Sequence, residues 1–115
     1  MTKRDDTVYL RHVLEAIELI KGYLTDVDYK RFRGTRLLQD GVIRQLEIIG
    51  EATKNLSQNV RNMAPEVPWK DMAGMRDKLI HQYFGVDIEA VWATARLDLP
   101  DVQKAIENLL IEIES

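Results

Sequence analysis

Apolar residues recur every three or four positions along most of the chain. Leu10, Val13, Leu14, Ile17, Ile20 and Leu24 form a first stripe, the spacing that lines up side chains on one face of an amphipathic helix. Asp5, Asp6 or Thr7 is expected to cap its start, because a short side-chain oxygen there accepts from the free N–H groups of the first turn. A short polar segment at residues 26–34 follows. The second stripe, Leu38, Val42, Leu46, Ile49, Thr53, Leu56 and Val60, predicts one helix of about 25 residues. Gly41 and Gly50 fall inside it, each at about 1 kcal/mol relative to alanine, and are expected to permit close helix packing rather than a break.

Pro65 and Pro68 mark the clearest interruption. Pro68 suits the first turn of a new helix, where its missing N–H would lack a partner anyway. That helix is expected over residues 69–84, stopping at Gly85. Asp87 can cap a fourth helix carrying Ile88, Val91, Trp92 and Ala95. Asp98, ahead of Pro100, is expected to open a last one with Val102, Ala105, Ile106, Leu109 and Ile113 on its buried face. No alternating strand pattern or hairpin signal occurs. The expected fold is all-α, an antiparallel bundle of four or five helices in a single domain over residues 1–115.

Composition narrows the chemistry. The chain has 115 residues, 45% hydrophobic and 30% charged, ordinary for a soluble globular protein. There is no cysteine, which removes disulfides, thiol catalysis and Cys-based metal sites. With only two histidines, His12 and His81, a multi-histidine metal site within one chain is not expected. No apolar run approaches the roughly 20 residues of a membrane span, and residues 1–6 lead into no signal-peptide core, so the expected location is cytoplasmic.

The net charge of −3 is unevenly spread. Residues 1–64 carry 11 basic and 9 acidic side chains, residues 65–115 carry 5 and 10. Much of the basic excess sits in Lys30, Arg31, Arg33 and Arg36, interleaved with Tyr29 and Phe32. Such a stretch suits a phosphate backbone and base stacking, or is simply a solvated basic turn.

No glycine-rich phosphate loop, zinc-binding His pair or serine nucleophile elbow is present. The concentrated polar inventory is Arg76, Asp77, Lys78, His81, Gln82 and Tyr83. Histidine exchanges protons near neutral pH, and arginine holds two phosphate oxygens and stabilises added charge in a pentacoordinate transition state. RNA brings its own 2′-hydroxyl as nucleophile, so this set suits phosphodiester cleavage without a metal. On composition alone, an Arg and a His on one helix are more often structural. Positions 76 and 81 lie about 140° apart around a helix and roughly 7.5 Å along it. Either the helix distorts, long side chains converge, or a second subunit completes the site. A symmetric dimer would supply two histidines and two arginines to a composite cleft.

Residues 68–87 resemble the signature of HepT toxins in the HEPN superfamily, with the core Arg-x4-His-x-Tyr intact as Arg76, His81 and Tyr83. Ile48-Ile49-Gly50-Glu51-Ala52 resembles the second recurrent segment, and Val91-Trp92 with Asp98-Leu99-Pro100 fits the tail. The resemblance implies a homodimeric helical bundle acting as a metal-independent endoribonuclease toxin, with Arg76 and His81 catalytic and Asp77 a helper. It also implies a minimal nucleotidyltransferase antitoxin of the MntA type. That partner would use ATP to adenylylate Tyr83, placing bulk and negative charge beside His81. The chain itself needs no cofactor under this reading.

Two other readings compete. One is a non-catalytic helical subunit that binds and regulates a nucleotidyltransferase. The other is an RNA-binding module using residues 29–36 alone. Among the remaining residues, His12 is expected at or near the surface. Trp69 and Trp92 read as core or dimer-interface anchors, and Met63, Met72 and Met75 as packing residues. Glu51 either orients Arg76 or faces water.

Overall fold

The computed structural model describes residues 3–81 and 87–115, with the backbone alone described at 3, 4 and 76–81. In chain order the helices are α1 (Lys3–Tyr23), α2 (Tyr29–Gly34), α3 (Arg36–Lys54), α4 (Gln58–Met63), α5 (Trp69–His81) and α6 (Ile88–Ala93). A π-helical segment (Thr94–Asp98) then leads directly into α7 (Leu99–Glu114). Among the described residues there is no strand, so the all-α expectation holds. Three rods, α1, α3 and α5, and the continuous run from α6 to α7 build the bundle, and the short α2 and α4 turn its corners.

Side-chain bonds give the directions. Asp6, near the start of α1, is bonded to Ser57 beyond the end of α3. The Tyr23 ring, at the end of α1, lies 3.3 Å from where a Cβ on Gly41 would stand, near the start of α3. These two rods therefore run antiparallel, and Gly41 permits the approach as its position suggested. Arg11 donates to both carboxyl oxygens of Glu114 at 2.7 Å, while Lys21 reaches Gln103 at 3.2 Å. So α1 and α7 are antiparallel too. Both contacts are exposed and add little stability.

The core follows the sequence stripes. Leu10, Val13, Ile17 and Ile20 of α1 and Leu24 just beyond it are buried, as are Val42, Leu46 and Ile49 of α3 and Val102, Ile106 and Leu109 of α7. The helix α3 is the central rod, packed against both α1 and α5.

Four boundaries differ from expectation. First, α1 starts at Lys3, so Asp6 lies inside it, and its carboxyl group joins α1 to Ser57 instead of capping. Second, residues 26–34 are not simply a polar connection. Asp28 caps α2 by accepting from the Arg31 N–H at 2.9 Å, and Phe32 is fully buried. Third, the long second stripe is two helices. Leu56 and Val60 are buried on the expected row, but the chain turns at residues 55–57, where the Ser57 hydroxyl caps α4 through the Val60 N–H at 3.3 Å. Hydrophobic period alone cannot see such a corner, because the apolar row continues across it.

Fourth, Asp98 makes no side-chain cap and opens no separate helix. The chain passes Pro100 through the π-helical turn, with the Leu99 N–H donating to the Thr94 carbonyl five residues back. A proline offers no N–H to the carbonyl four residues earlier and its ring crowds that turn; a wider turn accommodates it without ending the helix. Met63 is also more exposed, at 41%, than its packing role predicted, whereas Met72 is buried.

Candidate active site and its surroundings

The start of α5 is fixed by a corner of mutually bonded side chains. The Pro68 carbonyl accepts the first helical bond, from the Met72 N–H at 3.0 Å. Trp69, 6% exposed, donates its indole N–H to the carbonyls of Ala64 at 2.9 Å and Arg61 at 3.1 Å. Arg61 in turn donates Nη2 to the Thr53 carbonyl at the end of α3 at 2.8 Å. Asp6 completes the corner by accepting from both the N–H and the hydroxyl of Ser57, each at 2.8 Å. Carbonyls at a helix end need such donors, and here they come from Trp69 of α5 and Arg61 of α4.

From this corner α5 runs helically through His81. Trp69 and Met72 are buried, Met75 is half-buried, and Lys70, Asp71 and Gly74 are exposed. Position 76 follows Trp69 by seven residues, two turns, and so falls within about 20° of the same row. Position 81 is a further 140° or so around. Arg76, Asp77 and His81 therefore share one continuous helix, with no distortion of it before residue 81. Their side chains lie outside the described residues, as does Tyr83 and the expected helix end at residues 82–86. The Glu51–Arg76 pairing lies outside them for the same reason; Glu51 itself is exposed.

A groove of about 730 Å³ flanks the first half of α5. Its floor includes Leu46, Met72, Val91 and Leu99, with Asp71 and Asp98 among its lining. A smaller cavity of about 260 Å³ lies between α1 and α3, lined by Tyr9, His12, Arg44, Glu47, Glu51 and Asn55 among others. His12 is exposed as expected, its ring edge-on to Tyr9 at 6.1 Å. Among the described residues no group of three His, Asp or Glu side chains is placed to hold a metal ion.

The basic stretch resolves into distinct parts. Lys30, Arg31 and Arg33 are exposed on α2. Arg36 opens α3 and is paired with Asp40 at 3.0 Å. The two aromatics point elsewhere. Phe32 is buried with its ring 5.2 Å from Trp92, and the half-buried Tyr29 lies 5.8 Å from the same indole. Trp92 is thus a packing anchor between α2 and α6. Arg96, which sequence reading passed over, stands over the Trp92 ring at 5.0 Å; the only signal was its spacing of four from Trp92 on a helix.

Over residues 13–109 the chain matches the family described as "Ribonuclease HepT-like", and it belongs to that family. It is 45% identical to "Probable ribonuclease HepT" of Thermococcus cleftensis, over 93% of this chain and 97% of that one. It is 42% identical to "Putative RNase MJ0125" of Methanocaldococcus jannaschii, over 99% and 98%. A third relative, "Putative RNase TTE0752" of Caldanaerobacter subterraneus, is 40% identical over 89% and 91%. No solved structure matches. No helix among the described residues is long and apolar enough to cross a membrane.

Proposed function

We propose that this chain is the toxin of a toxin–antitoxin pair, a metal-independent endoribonuclease whose site is built by Arg76 and His81 in a homodimer cleft. The observation that carries this reading is the intact Arg-x4-His-x-Tyr motif at residues 76–83 in a chain of the HepT-like ribonuclease family. A continuous helix through Trp69–His81 supports it, because Arg76 and His81 then stand on one rigid element.

In the proposed reaction the RNA 2′-oxygen forms a bond to the adjacent phosphorus as the P–O5′ bond breaks. One imidazole takes the 2′-hydroxyl proton, and the departing 5′-oxygen is protonated by a second, His81 of the other copy. Arg76 neutralises the extra charge on the phosphorane, and Asp77 assists by positioning. Silencing follows when a nucleotidyltransferase partner lets the Tyr83 hydroxyl attack the α-phosphorus of ATP, releasing pyrophosphate and leaving AMP on the ring. A phosphodiester next to His81 repels the RNA phosphate.

Purified protein is expected to cleave RNA in the presence of a chelator, and His81→Ala to lose activity by about 10²–10⁴-fold while staying folded. Incubation with the antitoxin and ATP is expected to add AMP mass at Tyr83, and Tyr83→Phe to stay unlabelled. Chelator-sensitive cleavage, an active His81→Ala protein or a label elsewhere would each overturn the corresponding part. Tight antitoxin binding without any cleavage would favour a non-catalytic subunit.

A further inference from the structure

We infer that Arg96, seated on Trp92, joins Lys30, Arg31 and Arg33 in one surface that grips the phosphate backbone of single-stranded RNA. The inference rests on the reading of RNA as the substrate and says where, beyond the motif, the strand lies.

Three observations converge on this surface. The helix α2 is held as a fixed platform: Asp28 caps it, Phe32 is buried beneath it, and Gln39 donates to the Phe32 and Arg33 carbonyls at 3.0 and 2.8 Å. Its cations project from that platform into solvent. Trp92 reaches α2 from another part of the chain and carries Arg96 into the same neighbourhood. A guanidinium held over an indole still has N–H groups to offer phosphate oxygens and loses less freedom on binding than an unsupported side chain.

Of the neighbouring carboxylates, Asp28 is engaged by the Arg31 N–H of its own helix, and Asp87 and Asp98 line the groove beside α5. Arg36 belongs less to this surface because Asp40 already pairs with it.

The aromatic rings also decide what is read. Phe32, Tyr29 and Trp92 pack on one another, so the surface offers cations rather than open ring faces. It therefore holds phosphates with little base preference, and its affinity falls with salt.

The test uses wild-type protein and a fluorescein-labelled 2′-O-methyl oligouridylate, which has no free 2′-hydroxyl and cannot be cut by the proposed route. Arg96→Gln is expected to weaken binding about fivefold and to lower the slope of log affinity against log salt by about 0.7. The Arg31→Gln/Arg33→Gln double variant should lose about twice that slope, and Lys104→Gln, exposed on α7, should bind as wild type. Equal binding by all variants, or an equal loss in Lys104→Gln, overturns the inference. So does a surface whose variants keep RNA but lose a protein partner. If natural RNA stays uncut while the probe is bound and Arg96→Gln releases it, the ribonuclease reading fails and the surface stands. If RNA is cut and the variants bind unchanged, the reverse holds.

Discussion

The two tryptophans are alike in sequence context, each in the first turns of a helix, yet they serve opposite ends of the molecule's work. Trp69 is buried and hydrogen-bonded through its indole N–H to two carbonyls at the end of α4. It fixes where α5 begins, and therefore where positions 76 and 81 stand. Trp92 is half-buried, packed at a tilt against Tyr29 and Phe32 of α2 and beneath Arg96. It joins the core to the charged exterior. The difference teaches that an aromatic residue's role is set by its polar atoms and by what covers it, more than by its ring.

Substitutions can break that contrast. Trp69→Ala removes a buried ring and leaves two carbonyls without their donor, so urea unfolding should show a loss of about 3–5 kcal/mol. Trp92→Ala, less buried, should cost roughly 1–3 kcal/mol and detach Arg96 from its support. Equal losses at the two sites would erase the distinction drawn above.

The corner that Trp69 completes also depends on Asp6, which is 3% exposed and bonded twice to Ser57. Asp6→Ala should lower stability by about 2 kcal/mol, and Asp6→Asn by less, since an amide oxygen still accepts one bond. An unchanged unfolding midpoint in Asp6→Ala would mean that the α1–α4 tie contributes nothing to the corner.

The smallest expected effect is on the side of Trp92. Asp26, in the turn that delivers α2, has φ 60°, the left-handed region that disfavours a β-carbon. Asp26→Gly should raise stability by about 0.5–1 kcal/mol. A decrease would show that its side chain holds the turn as well as straining it.

Much of the fold is legible in the sequence alone. The Asp87 cap appears as expected, its Oδ1 accepting from the Ala90 N–H at 3.1 Å. Most of each apolar row predicted for the first, second and last helices is buried, with Leu14, Leu38, Ala105 and Ile113 half-buried at the margins. The basic stretch was legible as a cluster of cations, but the direction of its aromatics was not. Whether Phe32 faces solvent or core depends on Trp92, sixty positions away. The corner at residues 55–57 was equally hidden, because Leu56 and Val60 keep the period of a single helix.

By itself the sequence determined helix class, core rows and the residues of the motif, since these follow from local periodicity and from side-chain chemistry within a few residues. Only the tertiary structure decided that Asp6 ties α1 to α4, that Pro100 is passed by a wide turn, and that Arg96 lies on Trp92 beside α2. Each of those depends on a partner brought near by packing, and the fit of two distant faces is not written in the spacing of either one.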